Sequence, residues 1–396
     1  MEPRRRLAFL TVTAIALSSP LTITSAASAT SGPAITAATS SSLGSIACPR
    51  ADLCLAVGSR FSSPERFRGL AELWNGQHWR AIPTPSVPGA KSISLNAVTC
   101  LSARYCLVVG SFAKQAKLGA VPHGLVAAWN GSRWQVLPVA IPVGDGLGGV
   151  SCAGGVCMIT GDKAGQKPAQ ATPVALQLRG NRIRVLKPVF PRGKTLAVFD
   201  DVSCTRPSSC LAVGSEGPGP SGSGPLGSSS GDLAETCNGV RWRLARIPQP
   251  KAATALFGVS CPDSTECLTV GWPVAGLGKP ETLTLLDRNG HWHRLIPTGG
   301  KPSGNFATPP LSAVSCASQS SCVAVGSGGG QGSEVWNGTK LRFVTTPAEN
   351  GEFGGISCVS PKRCVAVGSD SPNRKTSAAM AALWNGKSWK PLPIKA

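Results

Sequence analysis

Apolar and polar positions alternate in short runs along most of this chain. Runs such as Leu53–Val57 and Ala71–Trp74 are bounded by stretches rich in Gly, Pro, Ser and Asn, a pattern that predicts short half-buried strands and hardly any helix. The runs recur in register with paired cysteines: Cys48/Cys54, Cys100/Cys106, Cys152/Cys157, Cys204/Cys210, Cys261/Cys267, Cys316/Cys322 and Cys358/Cys364. Successive first members stand 52, 52, 52, 57, 55 and 42 residues apart. Five residues before each comes a large apolar residue (Leu43, Leu95, Leu147, Phe199, Leu256, Leu311, Phe353), and two before it a β-branched one, from Ile46 to Ile356. Four after each second cysteine stands glycine, from Gly58 to Gly368. A period near 50 marks a repeat whose units bury their faces against neighbours.

Each unit reads as four strands. The first carries a VSC-type run, the second a CxAVG run, the third ends at sequences such as AELW, and the fourth opens on HW-type pairs. WNG at Trp74, Trp129, Trp336 and Trp384 predicts a tight hairpin between the third and fourth strands, because both central residues can take positive φ. Trp79, Trp134, Trp242, Trp292 and Trp389 then begin fourth strands and are read as packing between units. Four antiparallel strands repeated seven times predict an all-β, seven-bladed β-propeller with one disulfide per blade. A β-sandwich array would need ~7 strands and ~100 residues per domain, so it fits the period poorly. Approximate blade limits are 42–91, 92–145, 146–196, 197–253, 254–308, 309–351 and 352–396.

This unit resembles the Asp-box (BNR) propellers of the sialidase-like and photosystem-assembly-factor type. It is closer still to secreted bacterial propellers with a VSC…CxAVG…WNGxxW unit, and the resemblance covers residues 42–396. It implies architecture rather than activity. The asparagine of WNG stands where the Asp box has aspartate, no sialidase arginine triad can be placed, and the only tyrosine, Tyr105, abuts Cys106.

The amino terminus changes the reading of the cysteines. Arg4–Arg6 precede an apolar run from Leu7 to Leu17, and Ala27-Ser28-Ala29 offers small residues for cleavage. Residues 1–29 are therefore expected to be an export signal and residues 30–41 a linker, with the propeller over 42–396. An 11-residue run falls well short of the roughly 20 needed to cross a bilayer, so no membrane span is expected and the protein is placed outside the cell or at its envelope. In an oxidising compartment, cysteines five or six residues apart across a predicted turn are read as cross-strand disulfides, each acting as a local clamp. Zinc is the rival reading, weakened by the spacing and by only four histidines. Cys237, in ETCNGVRW, replaces a hairpin tryptophan.

Composition bounds the chemistry. Of 396 residues, 39 are Lys or Arg and 19 Asp or Glu, a formal charge of +20, which favours polyanionic partners. In propellers, ligands sit over the central channel on the face built by the connections between units. Lys91, Lys187, Arg192, Lys194, Lys251 and Lys301 fall there and are the candidate binding residues, for an anionic polysaccharide or cell-wall polymer. Nucleic acid is a weaker candidate, since base stacking needs exposed aromatics that the repeat already uses. Arg and Lys in the fourth strands are read as edge protection. Asp200 and Asp201, on the innermost strand of the fourth unit, are the only paired carboxylates and the only catalytic candidates. His291 and His293 flank Trp292 without a third ligand, so neither a metal nor a cofactor is expected. The expectation is a monomeric binding module or scaffold. A carbohydrate-active hydrolase or lyase with carboxylates near the channel, and a structural envelope protein, are the alternatives.

Overall fold

The computed structural model describes residues 40–63, 66–115, 122–138, 145–164, 170–217, 231–248, 254–273, 283–298, 310–327, 332–347, 350–371 and 376–394. All lie in the compact unit Ala37–Ala396. The expected export signal, and residues 30–39 of the expected linker, fall outside them. The described residues form 28 strands and no helix. The strands fall into seven consecutive groups of four in up-and-down antiparallel order. The first group comprises an inner strand Ser40–Arg50, a second strand Leu53–Ser63, a third Arg66–Trp74 and an outer strand Trp79–Ala81.

Every inner strand carries a β-bulge one residue after its large apolar position. In the first unit Leu43 pairs with Gly58 and Ser45 with Val57, leaving Gly44 unpaired. Asn96, Gly148, Asp200, Phe257, Ser312 and Gly354 occupy the same place in the other six units. The bulge explains the recurrent glycine of the second strand. A Cβ at Gly58, Gly110, Gly161, Gly214, Gly271, Gly326 or Gly368 would lie 1.8–2.1 Å from the carbonyl oxygen of the residue before the apolar position. Only glycine fits so close a backbone approach.

All seven expected disulfides are present: Cys48–Cys54, Cys100–Cys106, Cys152–Cys157, Cys204–Cys210, Cys261–Cys267, Cys316–Cys322 and Cys358–Cys364, with Cα–Cα separations of 3.9–4.1 Å. Cys237 is the one free cysteine. Each bridge spans the turn between inner and second strands, as at Cys100 and Cys106, which stand directly opposite in the ladder. Closing so short a loop contributes roughly 2 kcal/mol per bridge.

The two half-cystines of a bridge differ in burial. Cys54, Cys106, Cys157, Cys210, Cys322 and Cys364, the second members of six pairs, are buried and belong to the apolar clusters between units, while their first members and Cys267 are only half-buried. The second strand is central in its sheet, covered by its own neighbours and by the adjoining unit, so its half-cystine packs as a core residue. The inner strand's cysteine lies nearer the turn and keeps part of its surface. Each bridge therefore ties a turn to the core, a role that cysteine spacing does not reveal.

The core lies between the units. Seven apolar clusters each join one unit to the next, and the seventh packs Val365, Val367 and Ala381 of the last unit against Leu43, Ile46, Trp74 and Trp79 of the first. The units therefore close into a ring, and among the described residues each keeps its own four strands, with no strand exchanged at the closure. The Ser41 N–H donates to Ser377 O at 2.8 Å, and the Arg363 guanidinium donates to Ala51 O at 3.0 and 3.1 Å across the same seam. A ring of radially stacked four-stranded sheets is a β-propeller.

Two further details differ from the sequence reading. Five groups form separate four-stranded sheets, but the third and fourth merge into one eight-stranded sheet through a single parallel bridge between Ala171 and Leu196. The bridge joins the first residue of the fourth group's inner strand, Leu196, to the first residue of its neighbour's third strand, Ala171. In the WNG hairpins only glycine takes positive φ, as at Gly76 (93°) and Gly386 (92°). The asparagine instead accepts two backbone N–H groups with its side chain, as Asn75 Oδ1 does from Gln77 and His78 at 3.0 and 2.8 Å. This Asx turn competes successfully with the positive-φ conformer. Asn289 (φ 56°) and Gly290 (φ 82°) of the fifth unit alone keep positive φ at both positions among the described residues.

Candidate functional site

The bulges aim one residue from each unit toward the ring axis, and a cavity of about 220 Å³ there is lined by all seven units. Most of the lining is glycine, serine, alanine and β-branched residues. Asp200 stands out as the bulge residue of the fourth unit. Burial, then the charges of Asp162 and Asp201, push its pKa up to about 7. Asp162 occupies the second-strand position where other units have Ser59, Ser111, Ser215 and Ser369.

Asp201 stands beside Asp200 in the cavity wall but is tied to the backbone. Asp201 Oδ1 accepts the N–H of Val202 at 2.8 Å, and Oδ2 accepts the N–H of Val259, in the next unit, at 2.9 Å. Burial nevertheless outweighs these bonds and raises its pKa to about 7. Ser45, the equivalent residue of the first unit, accepts the Val98 N–H of the second in the same way at 3.1 Å. Both carboxylates line the channel cavity, and Asp201 in addition ties two units together. Among the described residues no group of three His, Cys, Asp or Glu side chains is arranged to hold a metal ion.

Of the candidate cations on the connections, the four described ones lie outside the lining of this cavity. Lys91, Lys187 and Arg192 are exposed. Lys194 Nζ lies 3.4 Å from Glu216 Oε1, and Lys251 and Lys301 fall outside the described residues.

Basic side chains recur at the opposite end. Because strands alternate in direction, the disulfide turns and the outer hairpins share one end of the ring, away from the connections. Each outer strand turns one residue inward, from Trp79 to Trp389, and exposes its two neighbours on the other face. Before the inward residue stand His78, Arg133, Arg182, Arg241, His291 and Lys340, all exposed, with Lys387 in the last hairpin. After it stand Arg80, Arg184, Arg243, His293, Arg342 and Lys390, also exposed; only the second unit differs, with Gln135. The Asx turns hold the hairpins in fixed conformation, as where Asn337 Oδ1 accepts the N–H of Lys340 at 2.7 Å. Acidic residues at this end are largely engaged: Asp52 pairs with Arg50 at 3.0 Å and Glu266 with Arg288 at 2.8 Å. The result is a basic belt around the hairpin end.

Sequence reasoning also missed buried carboxylates on the third strands. Glu235 is fully buried; its Oε2 accepts the Val189 N–H of the preceding connection at 2.9 Å, and burial raises its pKa to about 7. Glu334 Oε2 accepts the Thr284 hydroxyl of the neighbouring unit at 2.8 Å. Asp232 is also raised to about 7, chiefly by burial. The bonds from Val189 and Thr284 brace one unit against the next.

No protein-family profile and no curated protein matches the sequence. Among solved structures, the chain is similar to the β-propeller domain of the Trilobed protease from Pyrococcus furiosus, described as having an open velcro topology. That match has a TM-score of 0.52 at 9% identity and covers 89% of this chain and 98% of that one. The WD40 β-propeller domain of Doa1 matches with a TM-score of 0.52 at 12% identity, over 84% of this chain and 93% of that one. Pyrococcus horikoshii acylaminoacyl peptidase matches with a TM-score of 0.53 at 8% identity over 89% of this chain, which spans about half (52%) of the peptidase. At these identities the likeness establishes the propeller fold alone.

Proposed function

We propose that this chain is an exported seven-bladed propeller that binds an anionic extracellular polymer without turning it over. The basic belt carries this reading. One or two exposed basic side chains repeat at every blade, in five of them on hairpins fixed by Asx turns, so a linear polyanion meets recurring basic groups around the rim. The Asp-box likeness, with asparagine in place of the box aspartate, fits a scaffold better than a hydrolase. Seven disulfides suit an oxidising setting, and no described helix is long and apolar enough to cross a membrane. The belt displays no large aromatic platform: its tryptophans face inward, which favours an acidic glycan or a phosphate-linked cell-wall polymer over a nucleic acid. The lysines of the connections are the alternative contact.

A second reading rests on Asp200. A channel-facing carboxyl with a pKa near 7 has the protonation behaviour of a general acid, as a glycan hydrolase or lyase requires. An array of acidic glycans and phosphate polymers, read at two ionic strengths and for product release, separates the two. Salt-sensitive retention of intact polymer supports the binding module. Cleavage that disappears in Asp200→Asn supports the enzyme.

A further inference from the structure

The belt is interrupted by a recess. In the first, second, sixth and seventh units, the residue opposite the second cysteine is Trp74, Trp129, Trp336 and Trp384. In the fourth unit that residue is Cys237, opposite Cys210, and in the fifth it is Asp287, opposite Cys267. Cys237 packs with Trp242 against the third unit, so at the seam between the fourth and fifth units it is Asp287 that stands where a tryptophan fills the hairpin end in four other units. A cavity of about 310 Å³ opens at this seam, lined by Cys237, Arg241, Arg243, Asp287 and the hydroxyl residues Ser208 and Ser209.

The chemistry of this lining points to a ligand. Arg241 and Arg243, two apart on one hairpin and exposed, have no ion pair among the described residues. Guanidinium forks of this kind grip a carboxylate or phosphate bidentately. Asp287 Oδ1 is buried with no hydrogen-bond partner, an acceptor left for a hydroxyl donor. Asp263, also in the wall, is already engaged: its Oδ1 accepts from the Thr265 N–H and hydroxyl, both at 2.7 Å, and its Oδ2 from Gln319 Nε2 at 2.7 Å. The recess therefore offers two free cations, one unsatisfied acceptor and small hydroxyls in a space suited to a single ring.

We propose that this recess is a subsite for one anionic, polyhydroxylated unit about the size of a monosaccharide, its oxyanion on Arg241 and Arg243 and a hydroxyl on Asp287. The subsite rests on the polymer-binding reading and gives it a preferred unit. A uronic acid and a polyol phosphate share the required chemistry.

Cys237 supplies the probe: it is the one free thiol and is buried at the recess wall, so it is alkylated only when this end of the fourth unit opens, and a ligand that binds only the closed recess slows that reaction. The full chain, with disulfides intact, is treated with iodoacetamide, and Cys237 alkylation is followed by mass. Glucuronate, glycerol 3-phosphate and neutral glucose are compared, and calorimetric titration of the same compounds runs in parallel. An acidic probe at ten times its Kd should slow alkylation about tenfold, glucose should not, and Arg241→Gln/Arg243→Gln should abolish both protection and heat. Glucuronate against glycerol 3-phosphate decides between the carboxylate and the phosphate source. Absence of binding heat for both acidic compounds overturns the subsite, whether or not the thiol reacts, as does equal protection by glucose. If intact polymer still binds in a salt-sensitive manner, only the subsite has failed. If the small acids bind but no polymer does, the subsite stands and the polymer reading falls.

Discussion

Ser357 Oγ accepts the backbone N–H of Cys48 at 3.0 Å, joining residues 309 apart in sequence. The same bond recurs around the ring, from Cys204 to Ser151, Cys261 to Ser203, Cys316 to Ser260 and Cys358 to Ser315, at 2.9–3.0 Å. The serine of the VSC run is therefore a staple to the following unit. Between the first and second units Ala47 stands at this position, and Ser45 takes the role by accepting from Val98. Ser357→Ala leaves the Cys48 N–H without its partner at the one seam with no chain connection. A loss of roughly 1–3 kcal/mol is expected, read as a lowered urea midpoint with unchanged slope. An unchanged midpoint would show that the staple is dispensable.

The bulge makes a sharper prediction about glycine. Gly214→Ala places a methyl group 2.0 Å from Val198 O, so the inner strand must lose its bulge or the sheet its pairing. Destabilisation beyond about 4 kcal/mol, or failure to fold, is expected. Gly148→Ala, itself at a bulge, meets nothing closer than 3.6 Å and should leave the melting temperature nearly unchanged. Equal effects at the two positions would contradict the close-approach account.

Buried carboxylates set a pH dependence whose sign is fixed. Burial raises Glu235 to about 7 in the folded chain, whereas an unfolded glutamate titrates near ~4.3. Between these values the folded state holds a proton that the unfolded state releases. Stability is full below the lower value, falls as pH rises across the window, and levels off above the upper one. Asp201 and Asp232, raised alike to about 7, act in the same direction. The melting temperature should be higher at pH 5 than at pH 8, and Glu235→Gln should shrink that difference. A protein more stable at pH 8 would refute this assignment.

Asp200 and Asp201 should part company on substitution. Asp201→Ala strands the Val202 and Val259 N–H groups and should cost about 2–4 kcal/mol, whereas Asp200→Asn keeps a polar bulge residue and relieves a buried carboxyl. Thermal unfolding of both variants checks the contrast. A larger loss from Asp200→Asn would mean that the channel carboxyl, rather than the clamp, holds the ring.

Much of the architecture was legible because the repeat prints it several times over. The cysteine pairs, the glycine after them and the apolar residue before them are properties of a single hairpin, so one dimension suffices to see them. The rest depends on neighbours. Cys54 and Cys364 read as halves of turn clamps, and only the packing of one unit on the next makes them core residues. Ser357 reads as one more small residue until the ring brings Cys48 beside it. Asp200 and Asp201 look like a carboxylate pair and share the channel wall, yet the bulge skips Asp200 in the register, and Asp201 reaches the backbone of the next unit. The outer-strand arginines read as edge protection because the sequence shows alternation without showing that every hairpin lies at one end. Cys237 was visible as a lost tryptophan, but only the fold shows that it packs against the third unit while the recess opens at Asp287 in the next seam.

The central claim is that the hairpin-end belt grips a polyanion, and the salt dependence of binding tests it most directly. Affinity for a poly(glycerol phosphate) chain is measured across ionic strength for the parent, for a variant with Arg133, Arg182 and Lys340 changed to Ser, and for one with Lys91, Lys187 and Arg192 so changed. The account predicts that the belt variant weakens binding and lowers the slope of log K against log salt by about one unit for each phosphate-binding cation removed, while the connection variant keeps the parent slope. A belt variant that keeps the parent slope, with a connection variant whose slope falls, would contradict it.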